Sequence, residues 1–107
     1  MYLLKVATII IIGRQQINAF WVDEELIIGN NVEISCSAII CKYKIVIGKN
    51  VITGGNNVIY DTDFHNLDPL IRNNKELDKE TAVKLPAIIN DNFFIGVHTS
   101  ILRRVII

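Results

Sequence analysis

Charge of one sign is the first thing this sequence lacks: eleven Lys and Arg balance eleven Asp and Glu over 107 residues. No basic stretch extends beyond Arg103-Arg104, so nothing argues for a nucleic-acid partner, and the arginine pair reads as solvated surface. Cysteine is scarce. Cys36 and Cys41 are too few for the disulfide framework of a small secreted domain, and they lack the Cys-x-x-Cys form and second pair of a zinc site. Both read as small buried hydrophobes kept reduced, which places the chain in the cytoplasm. Long hydrophobic runs are missing too. Val6 to Ile12, in "VATIIIIG", is far shorter than a membrane span. With Lys5 as its only basic flank and no Ala-x-Ala site, it reads as the first strands of a domain rather than a signal sequence. Aromatics make up 7% of the residues while hydrophobics make up 50%. The difference is largely isoleucine, and β-branched enrichment of this kind favours strands. The length fits one domain, residues 1–107.

What is present is a period of six. Ile28, Ile34 and Ile40 are followed, after a one-residue slip, by Ile47, Thr53 and Ile59; Ile89, Ile95, Ile101 and Ile107 repeat the step. Backwards, the register meets Val22, fails at Gln16 and recovers at Ile10 and Leu4. A weaker row follows each anchor by four residues: Leu26, Val32, Ala38 and Val51, then Phe93, Thr99 and Val105. Six is even, so every anchor points to the same side of an extended chain, whereas a helix would scatter them around its circumference. Asn and Gly close behind the anchors, in "IGNN", "IGKN" and "TGGNN", suit tight corners with a left-handed backbone. No unit of this kind buries its apolar edge alone, so the units must stack. A β-sandwich would explain the alternation but not the phase-locked six.

The register stops after Ile59 and resumes near Pro86, leaving a polar excursion over about residues 61–86, with a turn expected at Asn73-Asn74-Lys75. Long excursions inside compact repeats are uncommon and tend to be functional or disordered. This one opens with "YDTDFHNLDP", setting His65 among Asp61, Asp63 and Asp68, with Arg72 shortly after. Carboxylates near a histidine orient its ring or hold its charge, and such a ring can take a proton from an attacking hydroxyl.

The repeats resemble the hexapeptide repeat of the left-handed parallel β-helix acyltransferases. From about Val22 to Val105, with "IGNN", "IGKNV", "DTDFHNLDPLIRN" and "FFIGVH", the chain is similar to the maltose, galactoside and related sugar O-acetyltransferase branch. The resemblance implies an all-β fold, a left-handed parallel β-helix of roughly four to five triangular coils with one long loop excursion. It implies acetyl transfer from acetyl-CoA to a hydroxyl of a small sugar-like acceptor, without a covalent enzyme intermediate and without a metal. His65 would be the general base, supported by Asp63 or Asp68. Arg72 would hold the excursion or the substrate, and Ser35 would face the acceptor. Phe94, Gly96 and Val97 would line the acetyl-CoA groove. The assembly implied is a homotrimer with active sites between subunits and no membrane partner.

The chain departs from that pattern in places. Ser35 stands where asparagine is usual, Cys41-Lys42 where an aspartate serves the sugar, Phe94 for a tryptophan, Val97 for a small polar residue, and Asn90 and Arg104 for glycines. Relatives continue past the "ILRRVII" ending, so the chain reads as C-terminally shortened. These departures leave the acceptor open and support an alternative, a β-helical scaffold or remnant that has lost acetyl-CoA binding. His98 raises a further comparison with zinc-binding γ-class carbonic anhydrases, but two histidines without a short-spaced pair make a poor zinc set.

Overall fold

The computed structural model describes residues 8–11 and 19–107. Its strands are β1 (Thr8–Ile11), β2 (Ala19–Val22), β3 (Glu25–Ile28), β4 (Glu33–Ile34), β5 (Ala38–Cys41), β6 (Lys44–Ile47), β7 (Ile52–Thr53), β8 (Val58–Tyr60), β9 (Ala87–Ile89), β10 (Phe94–Ile95) and β11 (Ser100–Ile101). All are paired in parallel, in three sheets ordered β1-β3-β6-β9, β10-β7-β4 and β11-β8-β5-β2. From β2 onward the chain visits the three sheets in strict rotation, so each strand pairs with its equivalent in the next coil rather than with its neighbour in sequence. The fold is all-β with little helix, and among the described residues no helix is long and apolar enough to cross a membrane.

Alternation along the strands builds the core. In β3, β5 and β6 every second residue is buried. Leu26, Ile28, Ile34, Ile39, Ile45, Ile47, Ile59 and Ile89 are almost wholly removed from water, and Val22 packs against them part-buried. The expected register holds at Ile28, Ile34, Ile47, Thr53 and Ile59 but not at Ile40. Ile39 and Cys41 point inward there, and Ile40 faces outward beside Tyr60. The slip therefore falls between Ile34 and Cys41, where Cys36 takes a left-handed backbone with φ 44° and absorbs the irregular step. In the weaker row Leu26, Val32 and Val51 are buried, Ala38, Thr99 and Val105 half-buried and Phe93 exposed. Leu4, Ile12 and Gln16 lie outside the described residues.

The cysteines divide. Cys41 is buried as expected, but Cys36 is exposed, because a corner residue turns its side chain away from the stack. Burial pushes the Cys41 thiol up to about 12, helped by the charge of Asp61 beside it.

The corners stack as the strands do. Asn31, Asn50 and Asn92 all have positive φ. Their side chains form a ladder, Asn31 Nδ2 donating to Asn50 Oδ1 at 2.9 Å and Asn50 Nδ2 to Asn92 Oδ1 at 3.0 Å. Asparagine tolerates the left-handed region, and its amide supplies both a donor and an acceptor to neighbouring coils. At Gly48 the coil above comes so close that a Cβ would sit 2.7 Å from the Asp91 backbone nitrogen. Asn90 occupies the equivalent position one coil on, and its Nδ2 donates to the Ile107 carbonyl at 2.8 Å. Glycine is thus required at Gly48, where the backbone of the next coil passes within contact of any Cβ.

Candidate functional site

The excursion leaves the stack at one corner, where Asp23, Lys42 and Thr62 follow one another from coil to coil. Asp61 anchors the departure. Its fully buried carboxylate accepts the backbone N–H groups of Lys42 at 2.7 Å, Tyr43 at 2.8 Å and Lys44 at 2.6 Å. A buried carboxylate is tolerable when its lone pairs are met in this way, and here it satisfies the backbone of the preceding coil's corner. The neck of the excursion is closed by an antiparallel bridge between Thr62 and Lys84, with Asp63 N–H donating to Val83 O and Leu85 N–H to Asp61 O.

Beyond the neck the chain forms two short helices, α1 (Pro69–Arg72) and α2 (Lys75–Thr81). Asp68 caps α1 by accepting the Leu70 N–H, and proline at the first position suits a helix start. The turn expected at Asn73-Asn74-Lys75 is the junction between the helices. Asn73 closes α1, while the Asn74 side chain accepts the Leu77 N–H and starts α2.

Helix α2 brings Asp78 to His65. His65 Nδ1 lies 2.7 Å from Asp78 Oδ2, and Asp78 Oδ1 accepts the Asn66 N–H at 2.6 Å, so both carboxylate oxygens are engaged. The hydrogen bond from His65, with that from Asn66, holds the Asp78 carboxyl below its ordinary value of 3.8. Asp78 is therefore ionised at neutral pH. An ionised acceptor at Nδ1 requires a proton there, which leaves the lone pair of a neutral ring on Nε2. The His65 side chain is 66% exposed against 12% for Asp78, so the ring is held at one edge and open at the other.

His65 opens onto a cavity of about 580 Å³. Val22, Asp23 and Lys42 from the stack form one wall, Thr62 and Phe64 the neck, and Lys79, Ala82 and Lys84 the returning arm. Phe64 has a φ of 64° and stacks edge-on against Tyr60 with ring centroids 5.1 Å apart, which fixes the turn presenting His65. Lys42 Nζ pairs with Asp23 at 2.9 Å and lies 4.4 Å above the Trp21 ring, whose Nε1 donates to Asp23 at 2.6 Å.

The other expected site residues are placed as follows. Asp63 and Asp68 are engaged away from His65: Asp63 Oδ1 lies 2.7 Å from Arg103 Nε, and Asp68 caps α1. The carboxylate on His65 comes from Asp78 instead, because α2 folds back across the segment that carries the histidine. Arg103 is thus half-buried and paired rather than solvated, while Arg104 is exposed. Arg72 ends α1 and its Nη1 reaches the Asn66 carbonyl at 3.5 Å, so it braces the excursion. Ser35 sits at the corner before β5, where its carbonyl accepts the Ser37 hydroxyl, and it does not line the His65 cavity. Phe94 and Gly96 line a separate, largely apolar groove of about 330 Å³ with Ser100, Val105 and Ile107. Val97 is exposed and packs over Gly54, where a Cβ would come within 2.7 Å of Val97 Cγ1.

Asp78, Lys79 and Lys84 were not legible as site residues. The available signal was local: "KELDKET" is rich in helix formers and follows an asparagine able to cap it, which foretells a helix but not its docking. Among the described residues no three His, Cys, Asp or Glu side chains gather closely enough to hold a metal ion. Comparison of the chain with family models, with curated proteins and with solved structures returns no match.

Proposed function

We propose that this chain is a left-handed parallel β-helix subunit of an acetyl-CoA-dependent O-acetyltransferase, with His65 as the general base toward a hydroxyl of a sugar-like acceptor. The observation that carries the reading is the His65–Asp78 pair. A carboxylate fixes Nδ1–H and leaves Nε2 as an acceptor at the edge of a cavity, the arrangement a hydroxyl base requires. In the reaction the acceptor hydroxyl oxygen bonds to the thioester carbonyl carbon as Nε2 takes its proton. The tetrahedral oxyanion then collapses, the carbon–sulfur bond breaks, and the departing thiolate recovers the proton from the imidazolium. Asp78 orients the ring and stabilises its positive charge between those events.

Three further observations support the reading. The sheets visited in rotation and the corner asparagines fit the stacked coils that the hexapeptide resemblance implies. Within one chain, His65 and the Phe94–Gly96 groove belong to separate cavities, as expected for active sites shared between the subunits of a homotrimer. Leu67, Leu70 and Leu77 on the excursion are exposed, an apolar set suited to a neighbouring subunit.

The test is calorimetric titration of the purified chain with acetyl-CoA, with its mass in solution recorded on the same sample. A trimer binding about one acetyl-CoA per subunit, with acceptor-dependent thioester loss abolished in a folded His65→Ala variant, supports the transferase. Assembly without any coenzyme A affinity at millimolar ligand assigns a scaffold instead.

A further inference from the structure

The cavity beside His65 is lined by more basic than acidic side chains. The chain as a whole is neutral, yet the residues lining this cavity include Lys42, Lys79 and Lys84 against one carboxylate, that of Asp23. That carboxylate is already committed to Lys42 and to the Trp21 indole. Among the described residues neither Lys79 nor Lys84 has a carboxylate within ion-pair distance, whereas Lys42 and Lys44 are both paired. Asp63, the acidic residue at the neck, is taken by Arg103, and Asp78 by His65. Lys79 and Lys84 thus stand without an ion-pair partner among the described residues at the wall of a space large enough for a small ligand.

Both lysines lie on the excursion and are positioned by its fold. Lys84 belongs to the neck, fixed by its bridge to Thr62, and Lys79 lies in the last turn of α2, one residue beyond the Asp78 that grips His65. The contact that orients the base therefore also sets Lys79 on the same cavity wall. Lysine recognises phosphate or carboxylate as a point charge, and several converging lysines with no carboxylate of their own raise the local anion concentration.

We infer that the acceptor is an anion: a hydroxyl compound carrying a phosphate or carboxylate, held by Lys79 and Lys84 so that its hydroxyl meets His65 Nε2. This rests on the transferase reading for the role of the hydroxyl, while the anion preference itself is a binding property measurable without acetyl-CoA.

The experiment titrates the full chain with glucose 6-phosphate, glucuronate and glucose, reading heat and the fluorescence of Trp21, the single tryptophan, which is hydrogen-bonded to the cavity residue Asp23. Either anionic probe is expected to bind at least roughly tenfold tighter than glucose, since hydrogen bonds to charged groups commonly exceed that factor. The stronger of the two identifies phosphate or carboxylate as the recognised group. A folded Lys79→Gln, Lys84→Gln double variant should erase the preference, and the Lys79→Arg, Lys84→Arg double variant should keep it. Equal binding of all three probes, or no binding of any at millimolar concentration, overturns the inference. So does a glutamine variant that keeps the preference, or one that loses acetyl-CoA affinity instead, which would assign the lysines to the coenzyme. Failure of the transferase reading shows separately, as absent acetyl-CoA binding alongside an intact anion preference.

Discussion

Replacing Asp61 with asparagine keeps the side-chain shape but removes its charge and one of its two acceptor oxygens. In the native corner the carboxylate meets three backbone N–H groups at 2.6 to 2.8 Å, two on Oδ2 and the Lys42 N–H on Oδ1. Asparagine can keep the bonds to Tyr43 and Lys44 through its carbonyl oxygen, each weakened by roughly 1 kcal/mol on losing charge assistance. Its amide nitrogen then faces the Lys42 N–H, donor against donor, and a buried unsatisfied N–H costs roughly 1–3 kcal/mol. Relief from burying a charge returns part of that loss, so the net destabilisation is about 3 kcal/mol. Domains of this kind hold roughly 5–15 kcal/mol in total, so the effect is large. Urea unfolding followed by circular dichroism should show it. With a slope of roughly 1–3 kcal/mol per molar, the midpoint falls by about 1–3 M. A midpoint within about 0.3 M of the parent, at unchanged slope, would refute the view that this carboxylate locks the corner at the excursion's root.

Gly48→Ala should destabilise by roughly 1–3 kcal/mol because its Cβ meets the backbone of the next coil, whereas Gly96→Ala, with nothing within 4 Å, should change the same melting curve by less than about 0.5 kcal/mol. Equal effects at the two sites would contradict the overhead-coil account of glycine use. Thiol titration at pH 8 should modify Cys36 alone in the folded protein and both cysteines in urea, since Cys41 is buried with its thiol raised to about 12. Rapid native modification of Cys41 would show that the corner opens readily. Because the folded-state pKa of Asp78 is depressed, its hold on His65 and Asn66 is complete above the ordinary carboxylate value of 3.8 and is lost as pH falls through the lower folded value. The Asn66 amide resonance should shift in that acid window, ahead of global unfolding, and Asp78→Asn should abolish the shift; an invariant resonance would sink the pairing.

The six-residue step made strands, corners and stacking legible, because an even period fixes one side of an extended chain whatever the coil winds around. Asn31 and Asn50 could be read as corners for a similar local reason: few side chains accept a left-handed backbone. The placement of the slip was not legible. Ile40 and Ile39 are chemically identical, and only the seating of Cys41 and Asp61 against each other selects which isoleucine faces in.

His65 likewise announced itself from sequence, as a histidine among acids where the repeat breaks off. Its partner did not. Asp63 and Asp68 are nearer in the chain, but an arginine from a later coil takes the first and a helix start takes the second. Asp78 wins because α2 folds back over the segment it follows, and sequence separation does not encode such a return. The lysines of the cavity belong to the same class of fact. Lys42, Lys79 and Lys84 are unremarkable charges along a neutral chain, and only the closure of the excursion against the stacked coils gathers them around one space. Periodicity is a local property and survives in the sequence; convergence of distant side chains is a property of packing and appears only when the chain has closed on itself.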